Sequence, residues 1–165
     1  MAVNLRAPQA SDQAEFLAAV QRSRRLHRPW TYPPDTPEKY AAWLERMQPP
    51  HARSWLVIEA ASGALAGVFN ISQIVRGPLQ SAYLGYYAFA GHEGQGHMTH
   101  ALQMVLRVAF GEMKLHRLEA NIQPGNTCSI ALVERCGFER EGFSPRYLKI
   151  GGRWRDHERW AVIRD

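Results

Sequence analysis

The stretch GHEGQGHMTHA, from Gly91 to Ala101, decides the fold of this chain. Gly94 and Gly96 allow backbone conformations that are closed to residues with side chains, so successive N–H groups can point into one concavity. Apolar residues then recur at helical spacing, which predicts a helix whose positive end lies beside those N–H groups. Phosphate groups bind at such places. A plain strand-to-helix turn is the alternative, because two glycines alone are a weak signal.

Length and composition predict one globular domain. The chain has 165 residues, of which 45% are hydrophobic, and this is enough for a sizeable core. No apolar run reaches the roughly 20 residues that span a bilayer, and the N-terminus lacks the basic and then apolar pattern of a signal peptide. We therefore expect a soluble, cytoplasmic protein that does not contact a membrane.

The two cysteines give no sign of a disulfide or a zinc site. Cys128 and Cys136 belong to one predicted helix, in which the rise between them is roughly 12 Å. That distance is too long for a disulfide, and the spacing is not that of zinc ligands. Both observations agree with a reducing compartment.

The charge of the chain permits anionic partners without choosing among them. The formal net charge of +5 is compatible with nucleic acid, the ribosome or a polyanionic cofactor. Basic residues are spread along the chain, and no repeat, low-complexity tail or aromatic RNA-binding signature is present. We therefore expect no direct nucleic-acid binding and favour a solvated or ligand-steering basic face.

Periodicity predicts a mixed α/β chain of the α+β class. A proline-rich loop over residues 28–37 separates the first two helices. The predicted helices cover residues 11–26, 37–47, 94–113 and 127–136, and the predicted strands cover 3–6, 53–60, 64–74, 82–90, 116–123, 138–150 and 154–163. The helix that follows the glycine turn joins two strands, so these strands should be parallel neighbours.

The segment from Leu84 to Phe138 resembles the GNAT superfamily of acyl-CoA-dependent N-acetyltransferases. That superfamily has a Q/R-x-x-G-x-G/A turn before a helix, here GHEGQG from Gly91, and a second helix that begins N-x-x-S, here at Asn126. The stretches LHRLEA, NTCSIALVERCGFEREG and LKIGGRWRDHERW extend the resemblance over essentially the whole chain, toward the Rim-type ribosomal-protein N-acetyltransferases. The resemblance implies one GNAT domain over residues 1–165, with a splayed mixed sheet of roughly seven strands flanked by about four helices.

The resemblance also implies acetyl-CoA as the cosubstrate. Its pyrophosphate would lie against the amides from Glu93 to Thr99, and its pantetheine arm would pair with the strand from Tyr86 to Phe89. Gly91 departs from the usual Gln or Arg, which matters little where backbone N–H groups hold phosphate. The predicted cofactor-binding residues are Tyr86, Tyr87, Ala88, Phe89, Glu93, Gly94, Gln95, Gly96, His97, Met98, Thr99, Asn126 and Ser129. Asn126 is also the predicted N-cap of its helix.

Acetyl transfer to an amine needs a base, a donor for the oxyanion and a proton for the leaving thiolate. Glu119 is similar in place to the glutamate that some Rim-type enzymes use and is the predicted base, with Glu59 and His157 as weaker alternatives. A solvated carboxylate or a structural ion pair is the competing interpretation of Glu119. Relatives often have an acidic tyrosine where this chain has Val133, so Ser129 is the predicted proton donor. The oxyanion donor would be a main-chain N–H at the end of the predicted strand over residues 82–90, where Tyr87, Ala88 and Phe89 lie.

The Rim-type resemblance implies that the acceptor is a protein N-terminal α-amine, as on a ribosomal protein, which attacks the thioester directly. Trp30 and Tyr32 in the proline-rich loop, together with Glu59, are the predicted acceptor contacts. An acetyltransferase for small amines or antibiotics is the close alternative. A non-catalytic acyl-CoA-binding or ribosome-binding module is an alternative of another class. Both a monomer and a homodimer fit the sequence.

Three histidines lie at the start of the same predicted helix, namely His92, His97 and His100. Zinc requires a third and usually a fourth ligand in a defined geometry, and the cofactor phosphates already occupy this turn in the predicted arrangement. We therefore predict no metal site.

Overall fold

The computed structural model of the protein describes residues 2–165. Its centre is a seven-stranded mixed sheet with the order β1-β2-β3-β4-β5-β7-β6. The strands are β1 (Val3–Arg6), β2 (Arg53–Glu59), β3 (Leu65–Val75), β4 (Ser81–Ala88), β5 (Arg117–Ile122), β6 (Glu139–Ile150) and β7 (Arg153–Ile163). The helices are α1 (Gln13–Arg22), α2 (Arg24–His27), α3 (Pro37–Arg46), α4 (His97–Phe110) and α5 (Thr127–Arg135), and a short 3-10 turn (Ala10–Asp12) precedes α1. The predicted fold class and strand number are confirmed.

The prediction of one continuous first helix is wrong. The helix breaks at Ser23, so the described residues form five helices instead of about four. The Ser23 hydroxyl donates to the carbonyl of Ala19 at 2.6 Å and accepts from the N–H of Ala90 at 2.9 Å. This side chain therefore ends α1 and ties the break to the segment that follows β4.

Strands β4 and β5 are parallel neighbours, as predicted, but they pair over only part of their length. Ser81 to Leu84 pair with Arg117 to Ala120. Beyond these residues β4 continues beside β3 while its edge toward β5 stays open. The sheet is consequently splayed at this point, and a gap separates the C-terminal halves of the two strands.

Side chains from the two faces of the sheet form separate cores. One core packs α4 and α5 onto the sheet and includes Leu102, Leu118 and Leu132. The other core packs α1 and α3 onto the opposite face around Phe16, whose ring lies 4.9 Å from that of Tyr40. None of the helices within residues 2–165 is long and apolar enough to cross a membrane.

Candidate active site

The open edge of β4 presents backbone groups to the gap. Phe89 donates its N–H to the carbonyl of Ala66 in β3 at 2.9 Å. Backbone groups alternate in direction along a strand, so those of Tyr86 and Ala88 point away from β3 and into the gap. The gap therefore offers N–H groups and a carbonyl to an extended ligand at the place where the pantetheine arm is predicted.

His27 closes part of this edge. Its Nε2 donates to the Ala88 carbonyl at 2.7 Å, and its ring lies 5.2 Å from that of Tyr87. Burial lowers the pKa of His27, so the ring is held in its neutral form. Sequence reasoning missed His27, because no motif marks a histidine at the end of a four-residue helix.

The glycine turn has the backbone shape that anion binding requires. Gly91, Gly94 and Gly96 all have positive φ, at 94°, 74° and 79°. Gly96 is the N-cap of α4, and no side chain caps that helix. The N–H groups of its first turn therefore point toward the turn with the positive end of the helix behind them. This is the position of the predicted pyrophosphate site.

The first part of the turn is held by its own side chain. One carboxylate oxygen of Glu93 accepts from the N–H groups of Gly91 at 2.7 Å and His92 at 3.0 Å. The Glu93 side chain thus binds the first two N–H groups of the turn, and the residues that follow continue into α4.

Ser129 is paired with a tyrosine across the open edge. The hydroxyl of Tyr86 lies 2.6 Å from Ser129 Oγ and 3.1 Å from the Ser129 carbonyl. Burial raises the pKa of Tyr86 well above its usual range, so its hydroxyl stays protonated. Sequence reasoning assigned Tyr86 to the cofactor arm alone and did not foresee this contact, although alternation along β4 turns its side chain toward α5.

The N-cap prediction for Asn126 is half right. Asn126 occupies the N-cap position of α5, yet its side chain makes no capping hydrogen bond. Gly137 follows the same helix with a positive φ of 90°, which is typical of the C′ position.

Glu119 lies one residue before the end of the pairing between β4 and β5, opposite Tyr83. Its Oε1 accepts from Arg117 Nε at 3.0 Å and Nη2 at 2.8 Å, and Arg117 also binds Glu141. The ion pair that competed with the base assignment is therefore present. Proton transfer at Glu119 would use its other oxygen, Oε2.

The predicted catalytic side chains lie on opposite faces of the gap. Leu118 and Ala120 point into the core beneath α4 and α5, so Glu119 between them faces the side of α1 and α3. Tyr86 and Ser129 lie on the other face. A molecule in the gap would thus have a carboxylate on one side and a hydroxyl pair on the other.

A cavity of about 280 Å³ lies on the Glu119 side, where β5 ends. Trp30 forms part of its wall and is held by Gln123, whose amide donates to the carbonyls of Pro29 and Trp30 at 3.4 Å each. Its lining consists of Trp30, Gln123, Pro124, Gly125, Trp154, Arg155 and Asp156.

The three predicted acceptor contacts do not line one common cavity. Tyr32 lies over the turn between β6 and β7, where a Cβ added to Gly151 would come within 2.5 Å of its ring. Glu59 lies at the end of β2, where it accepts from His92 Nδ1 at 3.2 Å and His97 Nε2 at 2.9 Å. Glu59 is therefore beside the phosphate turn and does not join Trp30 at the cavity.

His157, the other alternative base, is buried and donates from Nδ1 to the Arg155 carbonyl at 2.9 Å. Burial lowers the pKa of His157. Among the described residues, Tyr87 Oη and Asn121 Oδ1 are buried without a hydrogen-bond partner.

Residues 2–139 match the family described as the acetyltransferase (GNAT) domain. The chain belongs to the GNAT family. It is 36% identical over 126 residues to the probable N-acetyltransferase YjcK of Bacillus subtilis, an alignment that covers 76% of this chain and 70% of that one. It is also 42% identical over 93 residues to the ribosomal protein uS5-alanine N-acetyltransferase of Escherichia coli, over 56% of this chain and 48% of that enzyme. The matched segment thus spans about half the length of the E. coli enzyme.

Solved structures agree with this assignment. RimJ of Mycobacterium smegmatis, in complex with CoA-disulfide, has a TM-score of 0.89 at 28% identity, with coverage of 98% of this chain and 81% of that one.

Another sequence relative, a spermidine N(1)-acetyltransferase of Vibrio cholerae, is 24% identical over 165 residues, which cover 98% of this chain and 92% of that enzyme. The protein is therefore an N-acetyltransferase of a fold whose members use acetyl-CoA, and the GNAT relatives include enzymes for both proteins and polyamines.

Proposed function

We propose that this GNAT enzyme transfers the acetyl group of acetyl-CoA directly to the N-terminal α-amine of a protein, such as a ribosomal protein in the cytoplasm. The observation that carries the proposal is the gap between β4 and β5. Open backbone groups line it, a carboxylate lies on one face and a paired hydroxyl lies on the other. The similarity to an enzyme that acetylates the alanine of ribosomal protein uS5 supports the acceptor class.

In the proposed complex, the pyrophosphate lies against the amides from Glu93 to Thr99, and the pantetheine arm pairs with Tyr86 and Ala88. The Ala88 N–H, which points into the gap, is the proposed oxyanion donor. The Phe89 N–H is already bonded to the Ala66 carbonyl, which removes it from that role.

The proposed reaction proceeds within a ternary complex. Glu119 Oε2 takes a proton from the acceptor ammonium, directly or through water, and the neutral amine attacks the thioester carbon. The C–N bond forms as the C–S bond breaks, and the leaving thiolate receives a proton from the Ser129 hydroxyl. The second proton that the attacking nitrogen loses as the amide forms restores that hydroxyl. Tyr86 is the proposed positioning residue for Ser129, because its hydroxyl holds the serine side chain at 2.6 Å.

The charges around the cavity favour a peptide N-terminus over a polyamine. Asp156 is its one lining carboxylate among the described residues, and it accepts from the Arg146 N–H at 2.8 Å. Arg155 lines the same cavity. A polycation with several ammonium groups would be repelled by this guanidinium and would not find a carboxylate for each of its charges. A peptide with one N-terminal ammonium and a neutral chain after it has only a single charge to pair.

A panel of acceptors analysed by mass spectrometry tests the proposal. The panel contains peptides with the N-terminal sequences of ribosomal proteins, the same peptides with an acetylated N-terminus, spermidine and an aminoglycoside. We expect one added acetyl group on each accepted free peptide and none on its blocked counterpart. Acetylation of spermidine or the aminoglycoside alone would support the small-amine alternative. Acetyl-CoA binding without release of CoA on any amine would support the non-catalytic module.

A further inference from the structure

Three potential metal ligands from separate parts of the chain meet at the phosphate turn. Glu59 ends β2, His92 lies within the glycine turn, and His97 begins α4. Glu59 Oε2 lies 3.2 Å from His92 Nδ1 and 2.9 Å from His97 Nε2, and the three ligand atoms all lie within 4.8 Å of one another. The prediction of no metal depended on the lack of further ligands in a defined geometry and on the cofactor phosphates expected at this turn. Glu59 supplies a third ligand from 33 positions before His92.

We propose that Glu59, His92 and His97 form a binding site for a divalent transition-metal ion of the zinc type. Two imidazoles and one carboxylate are a donor set found in zinc sites that keep one position open for water or an anion. Imidazole ligands favour zinc and its neighbours over magnesium or calcium, which prefer oxygen ligands throughout.

The distances suit such an ion after a small movement. Metal–ligand bonds of about 2.0–2.1 Å in a tetrahedral site place neighbouring ligand atoms about 3.3 Å apart. Both contacts of Glu59 are already close to that separation, and the two histidine nitrogens are at most 4.8 Å apart. A rotation of the His92 side chain can close the remaining distance while its backbone N–H stays bonded to Glu93. The ion would replace the protons on His92 Nδ1 and His97 Nε2.

The surroundings of the three ligands hold them in place. The Ser62 hydroxyl donates to Glu59 Oε1 at 2.7 Å, which leaves Oε2 directed at the histidines. An outer hydrogen bond of this kind orients a ligating carboxylate. The His97 side chain is fully buried, and the side chains of Glu59 and His92 are each only 17% exposed. The cluster is therefore a formed and partly enclosed site, unlike a chance group of surface carboxylates.

Calorimetric titration of Zn²⁺ into the full-length, tag-free protein tests the proposal after bound metal has been removed with a chelator. We expect one site with a dissociation constant below about 10 μM. The variants Glu59→Gln and His92→Ala should each weaken binding by at least about tenfold, since each removes one of three ligands. His51→Ala is the matched control, because His51 is exposed and lies outside the cluster, and this variant should bind as the wild type does.

Cobalt substitution provides an independent readout. Co²⁺ in the proposed site should show visible ligand-field bands without a thiolate charge-transfer band, and these bands should disappear in Glu59→Gln. A thiolate band would place the ion at exposed Cys128 and overturn the proposal. Equal affinity in the wild type and both variants, or no site tighter than about 10 μM, would overturn it as well. Circular dichroism confirms that each variant is folded, and no readout depends on acetyl transfer.

Discussion

At the scale of single residues, the contact between Tyr86 and Ser129 bears most directly on the proposed chemistry. A serine hydroxyl can protonate a thiolate only if its side chain points to the sulfur. Tyr86 donates its proton to one of the two Ser129 oxygens within reach, and burial keeps that proton on the phenol. Val133 occupies the place in α5 where the resemblance implied an acidic tyrosine, while Tyr86 approaches Ser129 from β4.

Tyr86→Phe removes the hydroxyl and keeps the ring. Because the loss of one hydrogen bond costs about 0.5–1.5 kcal/mol, we expect kcat to fall about tenfold with little change in KM for acetyl-CoA. Steady-state kinetics of the single variants and of Tyr86→Phe in a Ser129→Ala background measure the coupling. If Tyr86 acts through Ser129, the second change should have little further effect on kcat. Additive losses would contradict the positioning role.

Glu119→Gln tests the proposed base. We expect kcat at neutral pH to fall by about two orders of magnitude, since an amide cannot accept the ammonium proton, while acetyl-CoA affinity stays nearly unchanged. Glu141→Gln is the matched control, because Glu141 is the other carboxylate bound by Arg117. An equal loss in both variants would indicate that the ion-pair network matters and that Glu119 is not the base.

His27 makes stability depend on pH. Burial lowers its pKa from 6.5, so the unfolded chain takes up a proton before the folded protein does. Stability should therefore be constant with respect to this group above pH 6.5 and should be lost as the pH falls from there through the folded pKa. Melting temperatures measured across this range should decline less steeply in His27→Gln. His157 contributes with the same sign, so the slope should flatten only in part. An unchanged slope in the variant would contradict a buried neutral His27.

At the scale of elements, β4 connects the parts of the site. Its alternating side chains reach α5 on one face and the aromatic core of α1 and α3 on the other. Its first half joins β5, and its second half leaves the edge open. The neighbouring strand β3 sets the distance to α4, because Gly67 lies directly beneath the side chain of Met98.

Gly67→Ala should be destabilising. A Cβ at this position would lie 2.6 Å from Met98 Sδ and 2.9 Å from the Tyr87 carbonyl, and the backbone oxygen cannot yield as a side chain can. We expect a loss of about 1–3 kcal/mol in the free energy of unfolding, measured by urea denaturation. Gly85→Ala is the matched control, since a Cβ there meets no atom within 4 Å. Equal stability of the two variants would contradict close packing at Gly67.

The elements were largely predictable from the sequence, and the contacts between distant elements were not. Apolar spacing after the glycine turn and the strand on either side of the helix predicted the parallel pair β4 and β5. The break at Ser23 depends on a hydrogen bond to Ala90, and the place of Glu59 depends on His92 and His97. Periodicity describes which face of an element is buried but carries no information about such partners.

At the scale of the whole molecule, acetyl-CoA should bridge both halves of the splayed sheet and stabilise the folded chain. At a concentration of 100 times the dissociation constant, the linkage contribution is about 2.7 kcal/mol. A chain of this size should then melt roughly 5–10 °C higher. Thermal scanning with acetyl-CoA measures the shift, and acetyl-pantetheine, which lacks the pyrophosphate, should give a smaller one. No shift with acetyl-CoA would contradict both the enzymatic and the non-catalytic cofactor proposals.

The hydrogen bonds to the Glu93 carboxylate should increase the rate at which the glycine turn binds a ligand. Glycines make a loop entropically costly to order, and a ligand that had to order it would bind more weakly and slowly. Here the bonds from Gly91 and His92 to Glu93 fix the start of the turn within the chain itself. The loop is therefore preorganised, and a phosphate group that reaches it by diffusion can bind without first ordering the start of the turn.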